Sequence, residues 1–454
     1  MFTKRTSFML SLILILSMAL GACTTNVETQ VPKPDVPDQE VAKPAVTEPE
    51  VTEPKTDEVV TIRFQDWRLA EEPANSALQI ILSEFEKAHP NIKVQQEPVA
   101  QGERVEKYNN QLRAGDPPDV VRFNVTELQT EIAMGAYEPL DRFLEAEGGV
   151  DSFFEDFAPF LINPTKKDGS VYAIPHEGDT FLLYVNKRLW EEAGLDPVNN
   201  PPKTFEELKQ ANFQLTDKSK NQYAFSLYPA VAWLQSWFNA NGARYFNEDY
   251  TETYIDSPEG IEAFKFFVEM YSVDGVVPPG APEVSYGDQV ALMAQEQVAY
   301  IQGPYATWGG ILAANPALTE DLIAIPFPGT GATAGRGTHF SIGAGSEHPE
   351  EAWELIKWLT SADQMMTFFE VGSMLPTRIS ALDSIVFEKY PAAKVMVQDS
   401  IPYAIESYPS FPEWGKASSI FSDGLIAALL NEDTPENILK DVAAEIREIL
   451  ASRQ

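Results

Sequence analysis

The stretch EVVTIRFQDW, residues 58–67, alternates apolar and polar side chains and is rich in β-branched residues, which predicts a β-strand. The stretch NSALQIILSEFEKAH, residues 75–89, carries apolar groups at helical spacing and precedes Pro90, which predicts a helix with Asn75 as its N-cap. Strand and helix then alternate through NIKVQQEPV (91–99), VEKYNNQLRAG (105–115) and PPDVVRFNV (117–125). This order is typical of a mainly parallel sheet with crossover helices, so the sequence predicts an α/β fold.

The ends of the predicted strands indicate where a ligand would bind. Ligands bind such sheets outside the carboxyl ends of the strands. In this sequence those ends are occupied by Asp66, Trp67, Arg68, Phe123 and Asn124. This edge of the sheet is therefore the first candidate site.

The N-terminus has the layout of an export signal. Two basic residues precede an apolar run from 8 to 20, and small residues follow it. The run is shorter than a membrane-spanning helix requires. LGAC, residues 20–23, resembles the lipobox of bacterial lipoproteins, and Cys23 is the only cysteine of the 454 residues. The resemblance implies that residues 1–22 are a lipoprotein signal peptide and that Cys23 is lipidated; the alternative is an ordinary signal peptide with an incidental cysteine.

A proline-rich segment follows the cysteine. It has prolines at 32, 34, 37, 44, 49 and 54 and almost no large apolar groups. Such a segment cannot bury enough surface to offset the entropy cost of ordering, and proline and like charges favour extended conformations. We therefore predict that residues 23–58 are a lipidated, disordered linker that holds a folded body, residues 59–454, away from a membrane. Without cysteine, that body contains no disulfide.

The charge of the chain excludes several classes of partner. The sequence has 68 acidic and 33 basic residues, a formal net charge of −35. This argues against binding to nucleic acid, which relies on cationic contacts to phosphate, and against electrostatic adhesion to anionic lipid. The membrane is expected to be reached through the lipid anchor only. No phosphate-binding loop, nucleophile elbow or metal-ligand spacing is present, so we predict neither a cofactor nor a metal.

Several segments farther along the chain resemble one protein family. They are IPHEGDTFLLYVNKRLWEEAGL (174–195), PPKTFEELKQ (201–210), VALMAQEQVAYIQGPYATW (290–308), IGAGSEHPEEAWELIKWLTS (342–361) and VGSMLPTR (371–378). In this order, and behind a lipobox, they are similar to the family 1 extracellular solute-binding proteins of bacterial ABC importers, the group that contains maltose-binding protein. Each segment alone is only moderately specific, but together the resemblance covers nearly all of residues 59–454.

The resemblance implies a two-lobe periplasmic-binding-protein fold, type II-like, with the ligand cleft between the lobes and a hinge of crossing strands. The crossings would fall near 174–180, 323–329 and 372–378. One lobe would comprise about 59–175 plus 326–372, and the other about 180–322 plus 377–454. Closure over the ligand would then be a hinge motion.

Aromatic residues are the first candidates for ligand contact. A sugar presents a face of C–H groups and a rim of hydroxyls, so its site needs flat aromatic surfaces beside polar groups. The predicted aromatic contacts are Trp67, Trp233, Trp237, Tyr305, Trp308 and Trp414. For Trp233 and Trp237, which share one helical face, a core role is the alternative. Trp190, Trp353 and Trp358 lie among apolar helix positions and are predicted to be core.

Tyr305 follows Gly303 and Pro304, where the resemblance implies an aromatic residue that stacks on sugar. Maltose-binding protein has tryptophan at that place, so the identity of its sugar does not transfer. The predicted polar contacts are Arg68, Asn124, Asp179, Arg336 and Ser373. For Asp179 the resemblance implies an acidic residue that accepts hydrogen bonds from sugar hydroxyls, and the alternative is a solvent-exposed aspartate in a turn. Arg336 has the alternative role of capping a loop.

These features together predict a membrane-anchored extracellular substrate-binding protein of an ABC importer. It would bind a carbohydrate, in particular an oligosaccharide, by cleft closure, and deliver it to the transmembrane permease subunits. It would act as a monomer, without catalysis, at the extracellular face of the cytoplasmic membrane of a Gram-positive cell. Two alternatives remain: a secreted glycoside hydrolase, which needs two carboxylates at a defined separation, and a binding protein for a non-sugar solute.

Overall fold

The computed structural model describes residues 59–407, 409, 411 and 413–452, and the predicted signal peptide, Cys23 and linker lie outside them. The strands are β1 (Val60–Asp66), β2 (Ile92–Pro98), β3 (Val120–Asn124), β4 (Lys166–Lys167), β5 (Ser170–Val171), β6 (Ile174–Thr180), β7 (Leu182–Asn186), β8 (Tyr223–Ser226), β9 (Val298–Gly303), β10 (Leu322–Ile325), β11 (Ala334–Ile342) and β12 (Ile405–Glu406). The helices of the first half are α1 (Ala74–Ala88), α2 (Arg104–Ala114), α3 (Val125–Ala133), α4 (Asp141–Ala146), α5 (Val150–Phe154), α6 (Lys187–Glu192), α7 (Phe205–Leu215) and α8 (Val231–Ala240). Those of the second half are α9 (Pro258–Ser272), α10 (Tyr286–Ala294), α11 (Ala306–Ala314), α12 (Pro349–Leu359), α13 (Ala362–Gly372), α14 (Ile379–Leu382), α15 (Pro391–Asp399), α16 (Trp414–Leu429) and α17 (Pro435–Ala451). Within the described ranges, every helix is too short or too polar to cross a membrane.

The first sheet has the order β12-β11-β3-β1-β2, and β6 also pairs with β11. β1 is parallel to both β2 and β3, which confirms the order predicted from residues 58–125. The apolar alternation of β1 buries Ile62 and Phe64, and the ring of Phe64 lies 5.7 Å from that of Phe340 on β11. β11 is antiparallel to β3 and β6, so the complete sheet is mixed.

The second sheet has the order β10-β7-β9-β8. β7 is antiparallel to β10 and β9, and β8 is parallel to β9. The chain passes from the first sheet to the second between Thr180 and Leu182, and returns between Ile325 and Ala334. β6 and β11 are therefore crossing strands. The exact bounds of the two lobes stay a prediction.

One strand departs from the predicted division of the chain. β12 falls in the segment assigned to the second lobe, yet it pairs with β11 in the first sheet. The Ile405 N–H donates to Thr333 O at 2.9 Å, and the Ser407 N–H donates to Gly335 O at 2.7 Å. These bonds attach β12 to the first residues of β11, at the start of that strand.

Separate apolar cores support the two sheets. Helices α1, α12 and α13 pack their buried faces into the core of the first sheet, and α8, α9, α16 and α17 into that of the second. Full burial of one such large side chain stabilises the fold by about 1.5–3 kcal/mol. The predicted N-cap of α1 is wrong, because the Asn75 N–H already donates to Glu71 O at 2.8 Å and the helix starts at Ala74.

Candidate functional site

A cavity of about 360 Å³, called the cleft below, lies where β6 and β11 meet the ends of β1, β3 and β9. Its lining residues come from these strands and the residues that follow them, from the first turns of α3 and α11, from the loop after β2 and from the turn after α13. They are Arg68, Gln101, Asn124, Val125, Thr126, Glu177, Gly178, Asp179, Tyr305, Ala306, Arg336, Gly337, Thr338, Ser373, Met374 and Leu375. Because β1 and β3 are parallel, their carboxyl ends meet at one edge, which is where a ligand was expected.

Arg68 is placed at the cleft by the end of β1. The buried carboxylate of Asp66 accepts a hydrogen bond from the Arg68 backbone N–H at 2.8 Å, which turns the chain into the 3₁₀ segment Trp67–Ala70. The Arg68 guanidinium donates to Glu177 Oε1 at 2.7 Å and to Glu71 Oε2 at 2.8 Å. Arg68 therefore faces the cleft with its charge already paired.

A buried arginine, Arg122, lies behind the side of the cleft that Arg68 and Glu177 form. Arg122 Nε donates to Asp66 Oδ2 at 2.8 Å, and its Nη1 donates to Thr338 Oγ1 at 3.0 Å. Arg122 also forms an ion pair with Glu177 Oε2 at 3.2 Å. Burial would raise the pKa of Glu177, but the charges of Arg68 and Arg122 outweigh burial and hold that pKa below its ordinary value. Glu177 is therefore an ionised hydrogen-bond acceptor, held in place from two sides.

Asp179 connects the crossing strands to the end of β9. Its Oδ1 accepts a hydrogen bond from the Tyr305 backbone N–H, and its Oδ2 accepts one from Arg336 Nη2, both at 3.0 Å. Asp179 and Arg336 are register partners on β6 and β11, so their side chains leave the sheet on the same face. The two side chains are 22% and 33% exposed, which leaves part of each accessible from the cleft.

Tyr305 supplies the aromatic surface of the cleft. It is half-buried just before α11, with its ring 6.2 Å from that of Phe369. Burial raises the pKa of Tyr305 to about 12, so its hydroxyl stays protonated and can donate a hydrogen bond. The turn that places it requires glycine, because a Cβ at Gly303 would collide with the side chain of Thr307.

The charges that line the cleft balance one another. The two arginines, Arg68 and Arg336, are paired with the two carboxylates, Glu177 and Asp179. An uncharged ligand with hydroxyl groups would find both donors and acceptors. An anionic ligand would find no uncompensated cation among these lining residues.

The structure brings together some of the predicted contact residues and separates others. Arg68, Asn124, Asp179, Tyr305, Arg336 and Ser373 all line the cleft. Trp233, Trp308 and Trp414 are half-buried and lie outside this lining. The ring of Trp233 packs 4.8 Å from that of Phe181, and the ring of Trp414 packs 5.9 Å from that of Phe246. Ligand contact by these three tryptophans stays a prediction.

The structure contradicts ligand contact by Trp67 and Trp237, whose side chains are fully buried. The ring of Trp67 is covered by the guanidinium groups of Arg104 at 5.0 Å and Arg122 at 5.7 Å. Trp237 Nε1 donates to Gln302 Oε1 at 2.6 Å inside the second core. Both rings are enclosed by neighbouring side chains, which leaves no surface for a ligand.

Glu177, Gln101 and Thr338 are among the cleft residues that the sequence analysis missed. Glu177 could have been found, because residues two apart on a strand point to one face and Asp179 was already a candidate. Gln101 also had a signal, since it follows β2, whose carboxyl end lies beside that of β1. No local signal marks Thr338, which reaches the cleft only through the pairing of β11 with β3 and β6.

Known proteins are similar in sequence to this chain. The sequence profile of the family described as bacterial extracellular solute-binding protein matches residues 70–366. A binding protein of Brucella abortus (strain 2308) is 26% identical over 377 residues, which cover 81% of this chain and 88% of that protein. The maltotriose-binding protein of Pyrococcus abyssi is 24% identical over 264 residues, which cover 56% of this chain and 53% of that protein.

Solved structures share the fold. The sugar-binding protein MalE from Xanthomonas citri superposes with a TM-score of 0.76 at 21% identity and covers 87% of this chain and 98% of its own. A solute-binding protein from Thermotoga lettingae with bound α-D-tagatose has a TM-score of 0.67 at 26% identity and covers 86% of this chain and 100% of its own. The chain therefore has the predicted two-lobe α/β fold of periplasmic binding proteins. Since the family profile matches well over half of the sequence, this protein belongs to the family of bacterial extracellular solute-binding proteins.

Proposed function

We propose that this protein binds a neutral carbohydrate in the cleft and delivers it to the permease of an ABC importer. The observation that carries the proposal is the position of Tyr305 beside the ion pair of Asp179 and Arg336. The aromatic face would pack against the C–H face of a sugar ring. The carboxylate would accept hydrogen bonds from hydroxyl groups, and the guanidinium would donate to their oxygens.

An oligosaccharide is the proposed ligand. The sugar class is supported by relatives named as a maltotriose-binding protein and a sugar-binding protein, and by the tagatose bound to the Thermotoga protein. The maltotriose-binding relative supports a ligand of more than one sugar unit. The cancelling charges of the cleft agree with an uncharged molecule of this kind.

Delivery would depend on closure of the two halves over the ligand. The cleft takes Arg68 and Asn124 from the first sheet and Tyr305 from the second. A ligand that contacts both sides favours the closed arrangement by its additional contacts there. The permease would then recognise the closed, monomeric protein. Lipidation of Cys23 would keep it at the extracellular face of the cytoplasmic membrane, in a Gram-positive cell.

Catalysis is the alternative that the site supports less well. A glycoside hydrolase needs a carboxylic acid whose pKa is raised enough to donate a proton. The pKa of Glu177 is instead held low by Arg68 and Arg122. Asp179 is already bonded to Arg336 and to a backbone N–H. We therefore propose a binding protein and not an enzyme.

Thermal denaturation and tryptophan fluorescence of the complete chain test the proposal. The panel comprises maltotriose, maltotetraose, tagatose, mannitol, glycerol 3-phosphate and amino acids. A ligand of the native state raises the melting temperature by mass action, and we expect this for a neutral sugar only. Tyr305→Ala should abolish the shift, whereas Tyr305→Phe, which keeps the ring, should retain most of it. A response to the phosphate or the amino acids alone, or sustained cleavage of the sugar, would contradict the proposal.

A further inference from the structure

A second cavity, of about 1110 Å³, lies on the other face of the crossing strands and is called the rear groove below. Phe160 lines it and packs under β11, since a Cβ added at Gly335 would lie 2.5 Å from its ring. Glu406, the register partner of Gly335, lines it too. The next residue of β11, Arg336, points instead to Asp179 in the cleft. Because successive side chains of a strand point to opposite faces, β11 separates the rear groove from the cleft.

The walls of the rear groove come from residues 159–166, 244–254 and 402–406. Two of these walls expose a large aromatic side chain, Tyr254 at 45% and Tyr403 at 56%. Exposed aromatic surface around a concave site is typical of binding surfaces. The rear groove therefore offers two aromatic faces to a molecule that lies along it.

Gln235 gives the rear groove a polar group that lacks a partner. Its side chain, on α8, is only 3% exposed and lines the groove. Its Nε2 donates to Glu406 O at 2.8 Å, whereas its Oε1 has no hydrogen-bond partner within the described part of the chain. A buried carbonyl oxygen without a donor is unfavourable. Oε1 is covered by neighbouring atoms, so a hydroxyl group of a bound molecule would supply that donor once the Gln235 side chain turns toward the groove.

Charges of both signs line the rear groove. Lys166 and Arg244 lie on different walls, and Glu248, Asp249 and Glu406 accompany them. This mixture selects neither a strongly anionic nor a strongly cationic molecule. Together with the exposed tyrosines, it favours an elongated, neutral molecule that carries hydroxyl groups.

We propose that the rear groove is a second carbohydrate site, which takes a neutral oligosaccharide. Its rings would lie against Tyr254 and Tyr403, and one hydroxyl would donate to Gln235 Oε1 after that side chain turns toward the groove. The larger volume, about 1110 Å³ against 360 Å³ for the cleft, favours a longer chain than the cleft holds. The class of ligand rests on the proposed function, whereas the position of the site does not.

Isothermal titration calorimetry tests this proposal with the complete chain, purified in a detergent that has no sugar headgroup. The probes are maltotetraose, cellotetraose and xylotetraose at up to millimolar concentration. The cleft variant carries Asp179→Ala and Tyr305→Ala, and the groove variant carries Tyr254→Ala and Tyr403→Ala. Phe213→Ala is the control, because Phe213 is similarly exposed, at 46%, but lines neither cavity.

We expect the native chain to bind two molecules of at least one tetrasaccharide and the cleft variant to keep one binding event. The groove variant should bind that second molecule about tenfold more weakly or not at all, as expected when aromatic anchors are removed. The control should bind like the native chain, and thermal denaturation checks that each variant is folded. Absence of any binding to the cleft variant overturns the proposal, and so does a titration that the groove variant leaves unchanged. A groove variant that binds no sugar at all speaks separately against the proposed function of the cleft.

Discussion

Asp179→Asn removes one charge from the cleft and keeps the size of the side chain. The carboxylate accepts two hydrogen bonds at 3.0 Å, from the Tyr305 N–H and from Arg336 Nη2. An asparagine has a single acceptor oxygen, and its NH₂ group would face the guanidinium, which only donates. The substitution therefore breaks one charge-assisted hydrogen bond and leaves Arg336 without this carboxylate.

The size of the effect differs between folding and ligand binding. A hydrogen bond to a charged group contributes about 1.5–3 kcal/mol. Because Asp179 and Arg336 are 22% and 33% exposed, water screens their ion pair in the free protein, and we expect a loss of about 1 kcal/mol in unfolding free energy. A bound sugar displaces that water. The hydrogen bond from a sugar hydroxyl to the Asp179 carboxylate is therefore expected to contribute the full range of about 1.5–3 kcal/mol, the value for a charged partner. At about 1.4 kcal/mol per tenfold, the affinity should fall about 10- to 100-fold.

A second aspartate provides a matched control. Asp256 pairs with Arg447 at 2.6 Å, is 21% exposed and lies outside the cleft lining. Calorimetric titration should use the neutral sugar that gives the largest thermal shift, together with its phosphorylated form. We expect Asp179→Asn and Asp256→Asn to lower stability by similar amounts. Only Asp179→Asn should weaken the neutral sugar, and it should strengthen the phosphorylated one. Equal affinities for both sugars in all three chains would refute this account of the cleft.

Three further perturbations test other parts of the chain. Burial lowers the pKa of His339 to about 4, against about 6.5 in an unfolded chain, so only the unfolded state gains this proton as the pH falls from 6.5 to 4. Unfolding free energy measured in urea should lose about 3 kcal/mol from this group over that window, and an unchanged slope in His339→Gln would contradict it. Gly337→Ala would place a Cβ 2.5 Å from Glu177 O and should lower the unfolding free energy by about 1–3 kcal/mol. Gly102→Ala is the control and should be nearly neutral, because nothing lies within 4 Å of a Cβ there. Equal stabilities of the two variants would count against the close approach at Gly337. Cys23→Ser should abolish incorporation of labelled fatty acid and release the protein from the membrane fraction, and retained label would disprove the lipobox prediction.

The first sheet shows which part of the fold could be predicted. Local alternation of apolar and polar residues predicts the strands β1, β2 and β3, and a local apolar stripe predicts the helices between them. Their parallel order can therefore be predicted from short stretches of sequence. Local sequence does not predict β11 as a strand, because its glycines at 335 and 337 are typical of a loop. It becomes a strand through pairing with β3, β6 and β12, which are distant in the sequence.

The candidate site shows the same division. The cavity lies at the predicted end of β1, yet Arg68 lines it while its neighbour Trp67 is buried under arginines. The strand-end rule locates an edge of the sheet, but the direction of each side chain depends on the turn that follows. Trp190 and Trp353 were correctly predicted to be core, because neighbouring apolar positions on their helices already indicated a buried face.

The sequence Gly335-Arg336-Gly337-Thr338 explains how one strand can line the cleft and also pack tightly against its neighbours. Arg336 and Thr338 point to the cleft, and the two glycines face Phe160 and Leu161, which approach too closely for any Cβ. A loop would not need this alternation, whereas a strand with a binding face and a tightly packed face does. The glycines that hide the strand from local sequence analysis are thus the residues that let the crossing segment lie flat on its neighbours. They also bring Arg336 into register with Asp179, where the ligand is proposed to bind.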